Sequence, residues 1–393
     1  MSKRSLQTVH LLEVLGNAII GGVEQYIHNL VRMLPAHGFK VTCLAPYESP
    51  VTDALRQLGS PVYITRMDDD PSWRSIQFAA ELVKEQGIQL IHAHLPRAQV
   101  LAGLVGSLAD LPVVTTIHGM DISSWELGIL RTTNAYLSVV CQAAYYQALA
   151  LGFPAERLGL VPNGVDVNLF NPANSGDGFR RAIGLPDSAP VVGFVGRLSP
   201  EKGPDMFVDL TRRVLERQPD AHFVMVGDGP LHSELEKKIR LEGLEENLHL
   251  AGIWSNMAEV YPAFNVLAQT SRVEGMPFTL LEAMASGVPV AAMNVGGVGE
   301  IVEVGRSGFL SAVGDWAGLG NAVLHLLETP ELRAQMSLAA RQRAEQKFDL
   351  NLTTGLLAQG FRSLLSLPYS SNSLKTLPTT LQPGLKRSGD ISH

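Results

Sequence analysis

The chain has little of what disulfide-built, nucleic-acid-binding and membrane-spanning proteins are made from. Two cysteines in 393 residues are too few for a disulfide framework. Both Cys43 and Cys141 sit inside apolar runs and read as small buried hydrophobes of a reducing compartment. Charged residues make up 18% of the chain, below the typical ~25%. A basic excess is missing as well: 31 Lys+Arg against 38 Asp+Glu leave a net charge of −7, and neither half hides a basic domain. Recognition of a nucleic-acid polymer through clustered cations is therefore excluded. No apolar run approaches the ~18 residues a spanning helix needs. The run behind Lys3 and Arg4 is short, contains Glu13 and lacks a small-residue cleavage pattern. The expected location is the cytoplasm, with peripheral contact at the inner face of a membrane left open, although no basic amphipathic helix marks one. Finally, no strand-to-helix junction carries G-x-G-x-x-G, which excludes a nicotinamide dehydrogenase. Counting from Gly16 puts Gly22 where a Walker A loop needs its Lys.

What is present is 46% apolar residues, the composition of a soluble enzyme with large cores rather than a disordered or coiled-coil chain. Short β-branched runs alternate with helix-patterned stretches. The first set is Val9–Leu15, Lys40–Ala45, Val62–Thr65, Leu90–Ala93, Val113–Ile117 and Tyr136–Cys141. The second is Val191–Val195, His222–Val226, Leu248–Leu250, Val266–Gln269, Val288–Ala292 and Gly308–Ser311. Strands apolar on both faces and separated by helices predict parallel sheets covered on both sides. The expected fold is α/β: two doubly wound, Rossmann-like domains with a ligand cleft between the carboxyl ends of their strands. The domains are placed at 1–165 and 189–350, joined by an Asn/Pro/Gly/Asp-rich linker at 166–188. A helix at about 351–365 completes the first domain. A Ser/Thr/Pro-rich tail, 368–393, cannot bury a core and is expected to be disordered.

The most informative segment runs from Glu274 to Pro289. Pro277 suits a helix start and Gly287 its stop. The helix between is apolar nearly all round, so Glu282 is a carboxylate where charge should be excluded. A ribose diol offers two hydroxyls to such a group, and the free amides of the first turn suit a diphosphate. A Glu reaching solvent or an internal Arg is the plainer alternative. In Val195–Gly203, Arg197 and Lys202 place two cations where a strand gives way to a helix. The plainer alternative there is a solvated turn pairing Lys202 with Glu201. Gly21-Gly22-Val23-Glu24 follows the first strand and opens a helix, allowing close backbone approach of a ligand. His118 stands at the carboxyl end of its strand rather than in mid-strand. His92 and His94 share one strand face and are read as a wall of the cleft, since no Cys or carboxylate completes a metal set. Asp68-Asp69-Asp70 holds an Asp-x-Asp pattern, explained as capping of the helix beyond Pro71.

These segments, in this order from about Val9 to Leu365, resemble the retaining GT-B glycosyltransferases of the group 1, family-four-like type. Val161-Pro-Asn-Gly-Val-Asp166 near the domain junction and the two glutamates Glu274 and Glu282 belong to the match. Cys141, where a small polar residue is usual, and Leu350, where an aromatic is expected, depart from the pattern. The resemblance implies a hexosyl-type transfer from a nucleotide-diphosphate sugar to an acceptor hydroxyl with retention, serving glycan biosynthesis. Arg197 and Lys202 would bind the diphosphate and Glu282 the ribose. Gly22, Gly275, Met276, Pro277 and Phe278 would line the donor, while His118 and Glu274 act at the reacting sugar. Glu24 and His94 fall on the acceptor side. The cations and a helix N-terminus supply positive potential where diphosphate charge develops, so no metal and no cofactor beyond the co-substrate is expected. The acceptor class stays open among glycans, lipid-linked molecules and small molecules, as does the oligomeric state. Two other readings remain: a GT-B-like sugar-nucleotide epimerase or phosphorylase, and a non-catalytic two-lobed sugar-binding protein.

Overall fold

A computed structural model describes residues 8–366 apart from 20, 134 and 187; the tail 368–393 lies outside the described residues. The chain divides into two compact units. Unit 1 comprises the residues up to Pro162 together with those from Thr354 on, and unit 2 is Asn163–Thr353.

Unit 1 holds a sheet of seven strands: β1 (Val9–Leu15), β2 (Phe39–Ala45), β3 (Val62–Ile64), β4 (Leu90–His94), β5 (Val113–Ile117), β6 (Tyr136–Val139) and β7 (Leu158–Leu160). All pairings are parallel, in the order β3-β2-β1-β4-β5-β6-β7. Every residue of β1 is buried, Glu13 included, because helices cover both faces of a parallel sheet. Unit 2 holds six more: β8 (Val191–Val195), β9 (His222–Val226), β10 (Leu248–Gly252), β11 (Val266–Gln269), β12 (Val290–Met293) and β13 (Gly308–Ser311). Their order is β10-β9-β8-β11-β12-β13, again parallel throughout. In each unit the winding reverses once, between β1 and β4 and between β8 and β11. The carboxyl ends of those strands are the places where open α/β sheets receive ligands.

Differences from the sequence reading are local. The strand β7 was not anticipated, since three residues carry too short a pattern to be seen. β6 stops at Val139, and Cys141 is already the N-cap of the helix Gln142–Ala150. β12 begins at Val290 because Val288 still bonds back to the Ala283 carbonyl (2.9 Å), closing the preceding helix around Gly287 at φ +73°. The stretch read as linker contains a short helix, Asp177–Ala182. The helix Trp73–Gln86 is capped by Ser72, not by the aspartates ahead of it. Among the described residues no helix is long and apolar enough to cross a membrane.

Candidate active site

At the β8/β11 reversal of unit 2, backbone geometry sets the side chains. Gly203 closes the turn Pro200–Lys202 at φ +63°, and a Cβ there would lie 2.2 Å from the Thr270 carbonyl oxygen. Only glycine lets the two loops touch, and the Thr270 hydroxyl seals the contact by donating to the Gly203 carbonyl (2.7 Å). Lys202 is thereby held beside the end of β11, where its Nζ lies 2.7 Å from Glu274 Oε1. The same oxygen accepts from the Ser271 hydroxyl at 2.7 Å and from Gln269 Nε2 at 3.3 Å. Glu274 is 7% exposed and the Lys202 side chain 29%. The alternative pairing of Lys202 with Glu201 is not made: the Glu201 carboxylate takes the Ser199 hydroxyl at 2.5 Å instead. That hydroxyl first, then the neighbouring Arg197 and Lys202 charges, hold Glu201 below the usual carboxylate range. Arg197 itself is exposed.

The loop after Glu274 is tied down through its carbonyls. Gly275 accepts from the Gly297 amide (2.7 Å), and Met276 accepts from Asn163 Nδ2 (2.7 Å). Gly275, Met276 and Pro277 are buried, and Phe278 opens the helix Phe278–Ala285 with partial exposure. Pro277 is the N-cap and supplies no side-chain cap, so no N-cap side chain competes for the first-turn amides. One turn on, the Tyr261 hydroxyl donates to Glu282 Oε2 at 2.6 Å. Burial pushes the Glu282 carboxyl up to about 7, against the pull of that hydrogen bond. Burial, with the Glu282 charge next to it, drives the Tyr261 phenol well above its ordinary value. The partner of Glu282 is thus neither solvent alone nor an arginine. Tyr261 was not singled out from the sequence, and Asn163 entered only within the Val161–Asp166 match with no role given, because each is linked to its partner only by tertiary contact.

In unit 1, parallel register aligns Glu13 of β1 with His92 of β4, and His94 of β4 with Thr116 of β5. Parallel neighbours point the same way, so one sheet face carries Glu13, His92, His94 and Thr116, with His118 just beyond β5. His92 Nδ1 lies 3.0 Å from Glu13 Oε1, and its Nε2 lies 2.7 Å from the Thr116 hydroxyl. His94 Nε2 bonds Glu13 Oε1, and His94 Nδ1 lies 3.0 Å from His118 Nε2. The helix Gly22–Met33 closes this face through Tyr26, edge-on to His118 at 4.7 Å between ring centres. Burial would raise Glu13, but the charge and hydrogen bonds of His92 and His94 outweigh it and bring the carboxyl down to about 2. Burial, then His92, lowers His94 to about 4. Burial, then His94 and His92, takes His118 well below its ordinary value, so the ring is neutral at physiological pH.

Two sequence expectations are corrected by this arrangement. His92 and His94 are fully buried, so they do not form a wall, and His94 cannot touch an acceptor directly; it stands beneath His118. A carboxylate does stand beside the pair: Glu13, which the sequence reading treated only as a break in an apolar run. Glu13, His92 and His94 are, among the described residues, the group whose donor atoms lie close enough to hold a metal ion, all within 4.8 Å. Their contacts are nevertheless those of hydrogen-bonded partners. Gly22 is exposed at the start of its helix, and Glu24 in the first turn is buried, its carboxyl raised by that burial. At the ends of β1–β4 lies a cavity of about 640 Å³ whose polar lining includes Asn17, Tyr47, Arg66, Asp68, Asp69 and Arg97. Asp68 and Asp69 are ion-paired there, with Arg66 (2.8 Å) and Arg97 (2.9 Å).

Two family models match the chain, one to each unit in large part. "Glycosyltransferase Family 4" covers residues 20–169, and "Glycosyl transferases group 1" covers 177–343. An alpha-D-kanosaminyltransferase of Streptomyces kanamyceticus is 32% identical over 70% of this chain and 77% of its own. The Escherichia coli UDP-Gal:alpha-D-GlcNAc-diphosphoundecaprenol alpha-1,3-galactosyltransferase is 26% identical over 84% of this chain and 91% of its own. Among solved structures, Anabaena Alr3699/HepE in complex with UDP superposes with a TM-score of 0.81 at 24% identity, covering 90% of this chain and all of that one. The fold is GT-B, and the chain belongs to the group 1 glycosyltransferases.

Proposed function

We propose that this glycosyltransferase moves a hexosyl-type sugar from a nucleotide-diphosphate sugar to an acceptor hydroxyl, with retention of anomeric configuration and without a divalent metal. The observation that carries the reading is the grouping at the β8/β11 reversal. There the Lys202 ammonium, the exposed Arg197 and the open first turn of Phe278–Ala285 offer positive potential, while Glu274 lies against Lys202. When the bond from sugar to diphosphate breaks, its electron pair stays on the diphosphate. Fixed donors aimed at that growing charge supply the largest catalytic term. Glu274, neutralised by Lys202 and steadied by Ser271 and Gln269, is placed to orient a sugar hydroxyl. Gly275, Met276 and Pro277 hold the loop, and Glu282 with Tyr261 takes the ribose. On unit 1, Gly22, Glu24 and His118 are assigned to substrate contact, His118 as a neutral imidazole that hydrogen-bonds a substrate hydroxyl. The cavity lined by Asn17, Tyr47 and the two Arg–Asp pairs is assigned to the acceptor. UDP in the Anabaena protein and UDP-Gal in the name of the Escherichia coli relative favour a uridine donor.

The donor class is tested by thermal shift of the purified chain with UDP-, GDP- and ADP-sugars. A ligand at 100 times its dissociation constant adds about 2.7 kcal/mol of stability, a clear rise in Tm. Absence of a rise with every nucleotide sugar would remove the donor assignment. The metal question has its own measurement. Transfer is expected to proceed unchanged in EDTA, because Lys202, Arg197 and helix amides offer the diphosphate donors without a metal. Activity abolished by EDTA and restored by Mn²⁺ would overturn that part.

A further inference from the structure

A neutral imidazole has one donor and one acceptor, and the partner of one nitrogen decides what the other shows to substrate. The buried network behind His118 settles this by counting protons. The Glu13 carboxylate has none to give, so it accepts from His92 Nδ1 and from His94 Nε2. A neutral His94 protonated at Nε2 has a bare Nδ1, and the atom facing it at 3.0 Å, His118 Nε2, must bring the hydrogen. On the other arm, His92 Nε2 lies 2.7 Å from the Thr116 hydroxyl. Thr116 also hydrogen-bonds Tyr26. The protons on the arm from His94 to His118 are thus placed by one buried anion. The groups facing His118 are Tyr26 from the helix Gly22–Met33, and His94 with His92 from β4, backed by Glu13 from β1. None of them donates to its ring in this arrangement.

We infer that Glu13, acting through His94, is a positioning residue that fixes His118 as its Nε2–H tautomer, so that Nδ1 is presented as a hydrogen-bond acceptor to a substrate hydroxyl. The inference rests on the reading of His118 as a substrate-binding group. It also gives a reason for a carboxylate in the middle of β1, where seven consecutive residues are buried and an unpaired charge would be costly.

The full chain, labelled with ¹⁵N-histidine, reports the tautomer directly, with the His118 ring assigned by its loss in His118→Asn. Wild type is expected to show a protonated Nε2 and a bare Nδ1. Glu13→Met matches the length but accepts nothing. It should move the His118 proton toward Nδ1 and slow transfer by about tenfold, with nucleotide affinity unchanged. Glu13→Asp keeps the carboxylate at the expense of packing, and it should retain the wild-type tautomer and more activity than Met. A role in packing alone reverses that ranking, and Met outperforming Asp overturns the inference. So does a tautomer change with no loss of rate. Should the Met variant fail to fold, the wild-type spectrum decides: a proton on Nδ1 in an active enzyme overturns the inference while leaving the transfer reaction standing. An Nε2–H ring in a chain that transfers no sugar would instead overturn the functional reading.

Discussion

Lys202→Ala is expected to lower turnover by about 10²–10³-fold, equivalent to ~2.7–4 kcal/mol of transition-state stabilisation, in a protein that still folds. The size follows from position. Lys202 lies at the carboxyl end of β8, fixed by the Gly203–Thr270 contact, and its ammonium is 2.7 Å from a carboxylate that is 7% exposed. Truncation removes the cation from the diphosphate and leaves Glu274 with only Ser271 and Gln269 as neutral partners. Glu274→Gln keeps the hydroxyl and amide contacts and should lose a similar factor by weakening the grip on the sugar. The double variant separates two routes. If Lys202 works only by holding Glu274, the double change costs no more than either single one. If it also meets the diphosphate, the losses exceed either single one. Turnover in a folded Lys202→Ala enzyme equal to wild type would sink the assignment.

Glu282→Gln is expected to weaken nucleotide binding by roughly 10–100-fold, the value of one or two hydrogen bonds to a charged group, while making the apo protein more stable at pH 8. The sign follows from the carboxyl's position near 7, raised from its ordinary 4.5 by burial. A carboxyl raised on folding binds more protons in the folded chain, so its contribution is full below pH 4.5 and is lost as pH rises through 7. The glutamine variant should therefore match wild type near pH 4.5 and exceed it progressively toward pH 8. Binding runs the other way. Ribose hydroxyls favour the ionised form, so wild-type affinity should tighten as pH rises through 7 and binding should release a proton, measurable by calorimetry in buffers of different ionisation enthalpy. Glutamine should abolish both effects. Wild-type affinity in the variant, or a flat affinity profile in the parent, rules out the ribose role.

Several elements could be read from local pattern alone. Six strands, among them Val9–Leu15 and Val191–Val195, agree with the structure at both ends. Pro277 and Gly287 bracket their helix because backbone rules act within a few residues. What was missed are pairings that only tertiary contact makes. Glu13 and His94 are 81 positions apart, Lys202 and Glu274 are 72, and Tyr261 and Glu282 are 21. A lone charge in an otherwise apolar strand was the available signal for Glu13, and the His-x-His of β4 was the signal for its partners. Joining them required the β1–β4 register, which no single segment encodes. The Asp68–Asp69 motif failed for the opposite reason: a plausible local role, helix capping, concealed pairing with Arg66 and Arg97.

The helix Leu350–Ser366 bears on how the protein is made. Phe361 packs against Phe39 and His92, and Arg362 donates to the carbonyls of His37 and Gly38, 325 and 324 positions earlier. On a ribosome adding 5–20 residues per second, that separation is roughly tens of seconds. Unit 2 is a continuous stretch and can close as soon as it emerges. The unit 1 strands are made before unit 2, and their sheet waits, its β2 end and the His92 face uncovered, until this helix has been made. The order of synthesis thus makes closure of the unit 1 sheet depend on a helix made after nearly all of unit 2, through the aromatic contact at Phe361.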